Sequence, residues 1–70
     1  MKIRAIVNGV SFYTTKAAIK GLRVGDFSLQ NHALSYCLHC MGSSAGFATT
    51  VRYYDDKMVQ HKFDVHLTVV

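Results

Sequence analysis

The run Ile3-Arg4-Ala5-Ile6-Val7-Asn8-Gly9-Val10-Ser11-Phe12-Tyr13-Thr14 decides the fold. Asn8-Gly9 separates two alternating stretches. A two-residue type I′ turn needs positive φ at both central positions, and asparagine and glycine reach it at least cost. Such a loop pairs Val7 with Val10, Ala5 with Phe12 and Ile3 with Thr14, which makes one apolar face. Arg4 then lies opposite Tyr13 on the other face, beside Lys2 and Thr15. One side of this hairpin is built for a core and the other is basic and aromatic.

Working outward, the chain supplies partners for that hairpin. Thr15 is placed to cap a short helix through Lys20 with Gly21 as its left-handed stop, although a loop fits there as well. Leu22–Val24 reads as a short strand broken by Gly25-Asp26. Leu29–Met41 is an amphipathic helix, capped by Ser28 or Asp26 and ended by Gly42. On a 100° wheel Leu34, Cys37, Leu38 and Met41 form one stripe, widened by Ala33, with His32, Ser35 and His39 opposite. Gly42–Gly46 is a connector. A second hairpin follows from Phe47–Tyr54 and Met58–Val70.

In that hairpin Val59, His61, Phe63, Val65, Leu67 and Val69 share one face. A three-residue turn at Asp55-Asp56-Lys57 pairs Tyr53 with Val59, Val51 with His61 and Thr49 with Phe63, so that core meets core. Arg52, Tyr54, Met58, Gln60, Lys62 and Asp64 then point outward. The last strand is long, and a bulge or bend is expected near Lys62–Asp64. The fold class is therefore α+β: a four-stranded, mainly antiparallel sheet of two hairpins with one amphipathic helix packed on one face, in the order β-β-α-β-β, as a single domain over residues 1–70.

Composition bounds what such a domain does. The chain has 70 residues, half of them hydrophobic, and a net charge of +4. A chain this short has a marginal core and little room for an enclosed substrate site. Its charge is uneven. Lys2, Arg4, Lys16, Lys20 and Arg23 all precede the first acid, Asp26, whereas Arg52, Lys57 and Lys62 are outnumbered by Asp26, Asp55, Asp56 and Asp64. That asymmetry suits an anionic partner, against the plainer reading of a solvated basic face. No apolar stretch is long enough to span a membrane, nor does the start have the apolar run of a signal peptide. Two cysteines make no disulfide framework, so a reducing cytoplasm is the expected setting.

Several spacings resemble catalytic or metal motifs and fail on context. Cys37-Leu38-His39-Cys40 has redox spacing, but the pair lies in the last helical turn, where the dipole disfavours thiolate, and the chain has no proline to lie beside it. The same cysteines with His61 and His66 imitate a two-cysteine, two-histidine zinc finger. Here, though, the cysteines lie on a helix and the histidines on a strand, five residues apart and so on opposite faces. Gly42-Ser43-Ser44-Ala45-Gly46 matches G-x-S-x-G by letters. A nucleophile elbow needs strand then helix, and the order here is reversed. His32 and His39 are two helical turns apart, too far for one metal. No catalytic residue, metal site or cofactor is expected, and the chain is read as a non-enzyme.

What remains is a strand surface. Lys2, Arg4 and Tyr13 come from the first hairpin and Arg52, Tyr54 and Lys62 from the second, with Lys16, Lys20 and Arg23 as a flank. Rings among cations suit bases and phosphates, and equally suit protein hot spots. No ribonucleoprotein motif, helix-turn-helix or KH loop is present.

In size and architecture, a free-standing, motif-free domain of one helix and two hairpins beginning Met-Lys-Ile-Arg resembles small phage-encoded inhibitors of bacterial defence, including anti-CRISPR proteins. The resemblance implies a cytoplasmic inhibitor that docks on a larger protein or ribonucleoprotein complex. Many such inhibitors are acidic nucleic-acid mimics. The basic charge here favours docking on an acidic protein surface or on bound nucleic acid. The alternatives are direct binding of DNA or RNA phosphates, and a homodimeric subunit that pairs exposed edge strands.

Overall fold

Asn8 and Gly9 take φ of 50° and 84°, both left-handed, and close the first hairpin as a two-residue turn. The computed structural model describes residues 2–22 and 29–70. β1 (Lys2–Val7) and β2 (Val10–Thr15) pair in the expected register, with Val7 opposite Val10, Ala5 opposite Phe12 and Arg4 opposite Tyr13. Thr15 caps α1 (Lys16–Lys20) by accepting from the Ala18 amide at 3.0 Å. Gly21 ends α1 in the right-handed region, with φ −76°, and not as the expected left-handed stop. Its amide donates to the Ala17 carbonyl at 2.9 Å, which finishes the turn without a change of hand. Leu22 belongs to no strand; Arg23, Val24, Gly25 and the two candidate caps of the next helix, Asp26 and Ser28, lie outside the described residues.

α2 spans Leu29–Met41, and Gly42 follows it at φ 57°. Its buried residues are the expected stripe of Ala33, Leu34, Cys37, Leu38 and Met41. β3 (Gly46–Tyr54) and β4 (Gln60–Val69) form the second hairpin. The sheet is four-stranded and antiparallel, in the order β2-β1-β4-β3, with α2 packed over β3 and β4. Ile3, Val65, Cys37 and Leu67 are the large side chains sealed between the layers. Because α2 lies over the β4 side, the far end of β2 has little cover, and Val10 is 66% exposed even though it belongs to the apolar face of the hairpin.

The second hairpin departs from expectation in register. Tyr53 pairs with His61, Val51 with Phe63 and Thr49 with Val65, two residues beyond the expected partners. A shift of two preserves the face of every side chain, so the core-facing and outward sets stay as expected, except that Met58 and Val59 leave the strand, exposed at 78% and 53%. Asp55 causes the shift. Its amide donates to the Val59 carbonyl at 3.1 Å, and its own carbonyl accepts from Met58 at 3.0 Å. Its Oδ1 accepts from the amides of Lys57 and Val59, each at 2.9 Å. The three loop residues are therefore Asp56, Lys57 and Met58, with Met58 at φ 63° in the left-handed position that glycine usually takes.

The expected bulge near Lys62–Asp64 is absent, and both β4 ladders run without interruption. β4 stays regular because the Asn8 turn extends the sheet past the end of β1. The Asn8 amide donates to the Asp64 carbonyl (2.9 Å), Oδ1 accepts from the Asp64 amide (2.8 Å) and Nδ2 donates to the Lys62 carbonyl (3.3 Å).

A methionine in the left-handed region carries a steric cost that glycine lacks. Met58→Gly is expected to stabilise the fold by about 1 kcal/mol, which for a domain this small raises Tm by roughly 4–8 °C in a thermal melt. A lower Tm would show that the Met58 side chain supplies packing that outweighs the strain.

Candidate binding surface

Alternation along each strand sends one set of side chains under α2 and the other onto a face that no described helix covers. On that open face Lys2 Nζ sits 5.2 Å from the centroid of the Tyr13 ring, a cation–π contact. Arg4 lies opposite Tyr13 and donates from Nε to Ser11 Oγ at 3.2 Å. Further along, Arg52 is directly opposite Lys62, and Tyr54 is opposite Gln60, whose Nε2 donates to the tyrosine hydroxyl at 3.4 Å. Between these groups a shallow depression of about 400 Å³ is floored by Ile6 and Ala48 and flanked by His66 and Asp64. Thr50 donates to Asp64 Oδ1 at 2.7 Å.

Six expected contact residues, Lys2, Arg4, Tyr13, Arg52, Tyr54 and Lys62, thus share one face, but as two clusters. Arg4 is level with Thr68 on β4, six residues from Lys62, so the clusters stand about 20 Å apart along the strand direction. Lys16 and Lys20 are elsewhere. α1 turns the chain into the helix layer, where both lysines line a groove of about 490 Å³ with His39, Ile19 and Leu38. Lys16 Nζ reaches the Gly42 carbonyl at 3.4 Å, which places a cation at the C-terminal end of α2. Arg23 lies outside the described residues. His66 is the open-face residue that the sequence reading left out. It stands opposite Ile6 and Ala48, and extending the outward alternation from Lys62 and Asp64 by one step locates it.

Asp64 shares this face, but among the described residues no carboxylate lies within 4.0 Å of its cations. Among the described residues the single ion pair within 4.0 Å is Asp55 with His61, whose Nε2 donates to Oδ2 at 2.9 Å. These bonds hold the Asp55 carboxyl below the ordinary carboxylate value, first through His61 and then through the amide of Val59.

Cys37 is buried in the helix stripe and Cys40 is exposed. Burial, with a smaller contribution from Cys40, pushes the Cys37 thiol up to about 11. His61 packs half-buried on the helix side while His66 is exposed on the open face, and no group of three or more metal-ligating side chains occurs among the described residues. Gly42–Gly46 leads from helix to strand, the reverse of a nucleophile elbow. None of the described helices is long and apolar enough to cross a membrane.

The chain matches no protein-family model, no curated protein and no solved structure.

Two measurements check this geometry. Under native conditions near neutral pH an alkylating reagent is expected to modify Cys40 and spare Cys37, with both thiols reacting in denaturant; native modification of both would contradict the burial of Cys37. Asp55 titrates below its unfolded value, so its contribution to stability is complete above the ordinary carboxylate pKa of about 4 and is lost as pH falls through the lowered value. Asp55→Asn should therefore lower Tm at neutral pH, with the gap to wild type closing as pH is taken from 5 towards 2. A gap independent of pH would sink the charge-based account.

Proposed function

We propose that this chain is a non-catalytic binding protein that docks through its open sheet face on the anionic surface of a larger protein or nucleoprotein complex, blocking or recruiting it. The observation that carries the reading is the Arg52–Lys62 pair. Residues opposite each other on neighbouring strands interact directly, and like charges there destabilise by roughly 0.2–1 kcal/mol. A small domain that keeps this repulsion on a face already holding Lys2 and Arg4 has a surface suited to an external negative charge. Inhibition of a larger effector, as in the phage-encoded inhibitors that the chain resembles in size and architecture, is the biological form this docking takes.

A second reading, direct binding of DNA or RNA, is favoured by one specific observation. Tyr13 and Tyr54 are both exposed on the same face as the cations, 61% and 62% respectively, and each keeps ring surface on which a base can stack.

The test exploits the conflict between stability and docking. Lys62→Glu places opposite charges across the strand pair and is expected to raise Tm slightly while abolishing capture of the partner from an extract of the source organism. Lys16→Glu, in the helix layer, should leave capture intact. A partner lost equally with both variants, or retained by Lys62→Glu, removes the sheet face from the reading. Nuclease treatment of the extract separates a protein partner from a nucleoprotein. Oligonucleotide binding across a salt series decides the second reading: phosphate contacts on a single strand give a slope of about −0.7 per phosphate neutralised, and no binding at 50 mM salt eliminates it.

A further inference from the structure

The outer edge of β3 is where the fold is least defended. Natural sheets blunt exposed edges with short strands, prolines, bulges or inward charges. β3 is nine residues long, has no proline and no bulge, and among the described residues no strand pairs with its outer side. The other edge strand, β2, is six residues long and leads directly into α1.

The direction of the free hydrogen-bonding groups follows from two bonds at the ends of the hairpin. The Ala45 carbonyl accepts from Val69 at 2.8 Å, and the Asp55 amide donates to Val59 at 3.1 Å. Antiparallel bonding alternates, so the odd-numbered residues of β3 bond to β4. The amides and carbonyls of Gly46, Ala48, Thr50, Arg52 and Tyr54 therefore face outward. That set is symmetric about Thr50.

We infer that β3 pairs with β3 of a second copy, antiparallel and in register about a two-fold axis at Thr50, to form a continuous eight-stranded sheet. Side-chain size supports this register. Gly46 meets Tyr54 of the other copy, a glycine covered by a ring, and Ala48 meets Arg52, so neither large side chain confronts another on the open face. Charge supports it as well. Among the described residues no carboxylate of its own chain lies within ion-pair distance of Arg52, and Thr50 holds Asp64 through Oδ1, on the side of the sheet edge. In this register Arg52 and Asp64 of opposite copies are about 12 Å apart at Cα by the strand spacing and rise, within reach of an arginine and a carboxylate together. On the helix side, Tyr36 is 53% exposed beside Thr49, Val51 and Tyr53, so the two copies bring apolar surface together below the new strand pair.

This pairing does not rest on the docking reading. It leaves Lys2, Arg4 and Lys62 on the open face and joins the open faces of the two copies into one.

Sedimentation or light scattering from 10 μM to 1 mM gives the first readout, and twice the 7.8 kDa chain mass is expected. Ala48→Pro removes an outward amide without touching the ladder to β4, so a monomer with unchanged circular dichroism is expected. Arg52→Glu should weaken dimerisation by roughly tenfold or more without relying on that backbone change. Thr50→Cys in a Cys40→Ser background should give a disulfide-linked dimer with oxidised glutathione, because only this register brings residue 50 to itself at about 5.5 Å between Cα atoms. A monomer at 1 mM overturns the inference. So does a dimer that survives Arg52→Glu unchanged, or a Thr50→Cys variant that dimerises without cross-linking.

Discussion

A thirteen-residue helix is about 20 Å long, enough to cover the middle of one sheet face and no more. Everything else in this fold follows from that shortage of cover. With one such helix available, a four-stranded sheet has its apolar side chains on the α2 side and its polar ones on the other. The two inner strands, β1 and β4, where the hairpins meet, have to carry the core. β4 is bonded to β1 on one side and β3 on the other, with Val65 and Leu67 sealed beneath α2. The face and the two edges left uncovered among the described residues are consequences of the same arithmetic. Whatever the molecule binds meets one of them before it meets the core.

The parity of the strands was legible in the sequence, and their register was legible only where the turn chemistry is unambiguous. Asn8-Gly9 admits one kind of turn, so the first hairpin follows residue by residue. The second loop offers no glycine. Apolar alternation is blind to a slip of two, since every side chain keeps its face, and Val59 looks as suitable opposite Tyr53 as His61 does. The deciding interaction was Asp55, whose carboxylate gathers two amides and a histidine at once. A methionine in the left-handed region is an exception that no propensity announces. The flank of Lys16 and Lys20 was misplaced for a related reason: sequence proximity to the first hairpin says nothing about which layer a one-turn helix enters.

The four residues of the cysteine–histidine spacing are dispersed over the fold. Cys37 fills the helix stripe as a small apolar side chain, while Cys40, three residues on, falls outside it. His61 serves the loop through Asp55, and His66 serves the open face. Spacing brought these four residues to attention, and secondary structure separates them.

Local costs in a marginally stable domain show where stability has been given up for something else. At 0.05–0.15 kcal/mol per residue a chain of this size holds roughly 4–10 kcal/mol against unfolding. Against that total, a left-handed methionine and a like-charge cross-strand pair are substantial, and both lie in the half of the second hairpin that projects beyond the Asn8 turn. The undefended edge of β3 runs along the same hairpin. Elsewhere among the described residues the Asn8-Gly9 turn, the Thr15 cap of α1 and the continuous buried stripe of α2 follow local preference. Natural sequences break local rules chiefly where function requires it. That three departures gather on the second hairpin marks it, among the described residues, as the stretch where the fold gives up most local stability, and it is the stretch that bears Arg52, Tyr54 and Lys62.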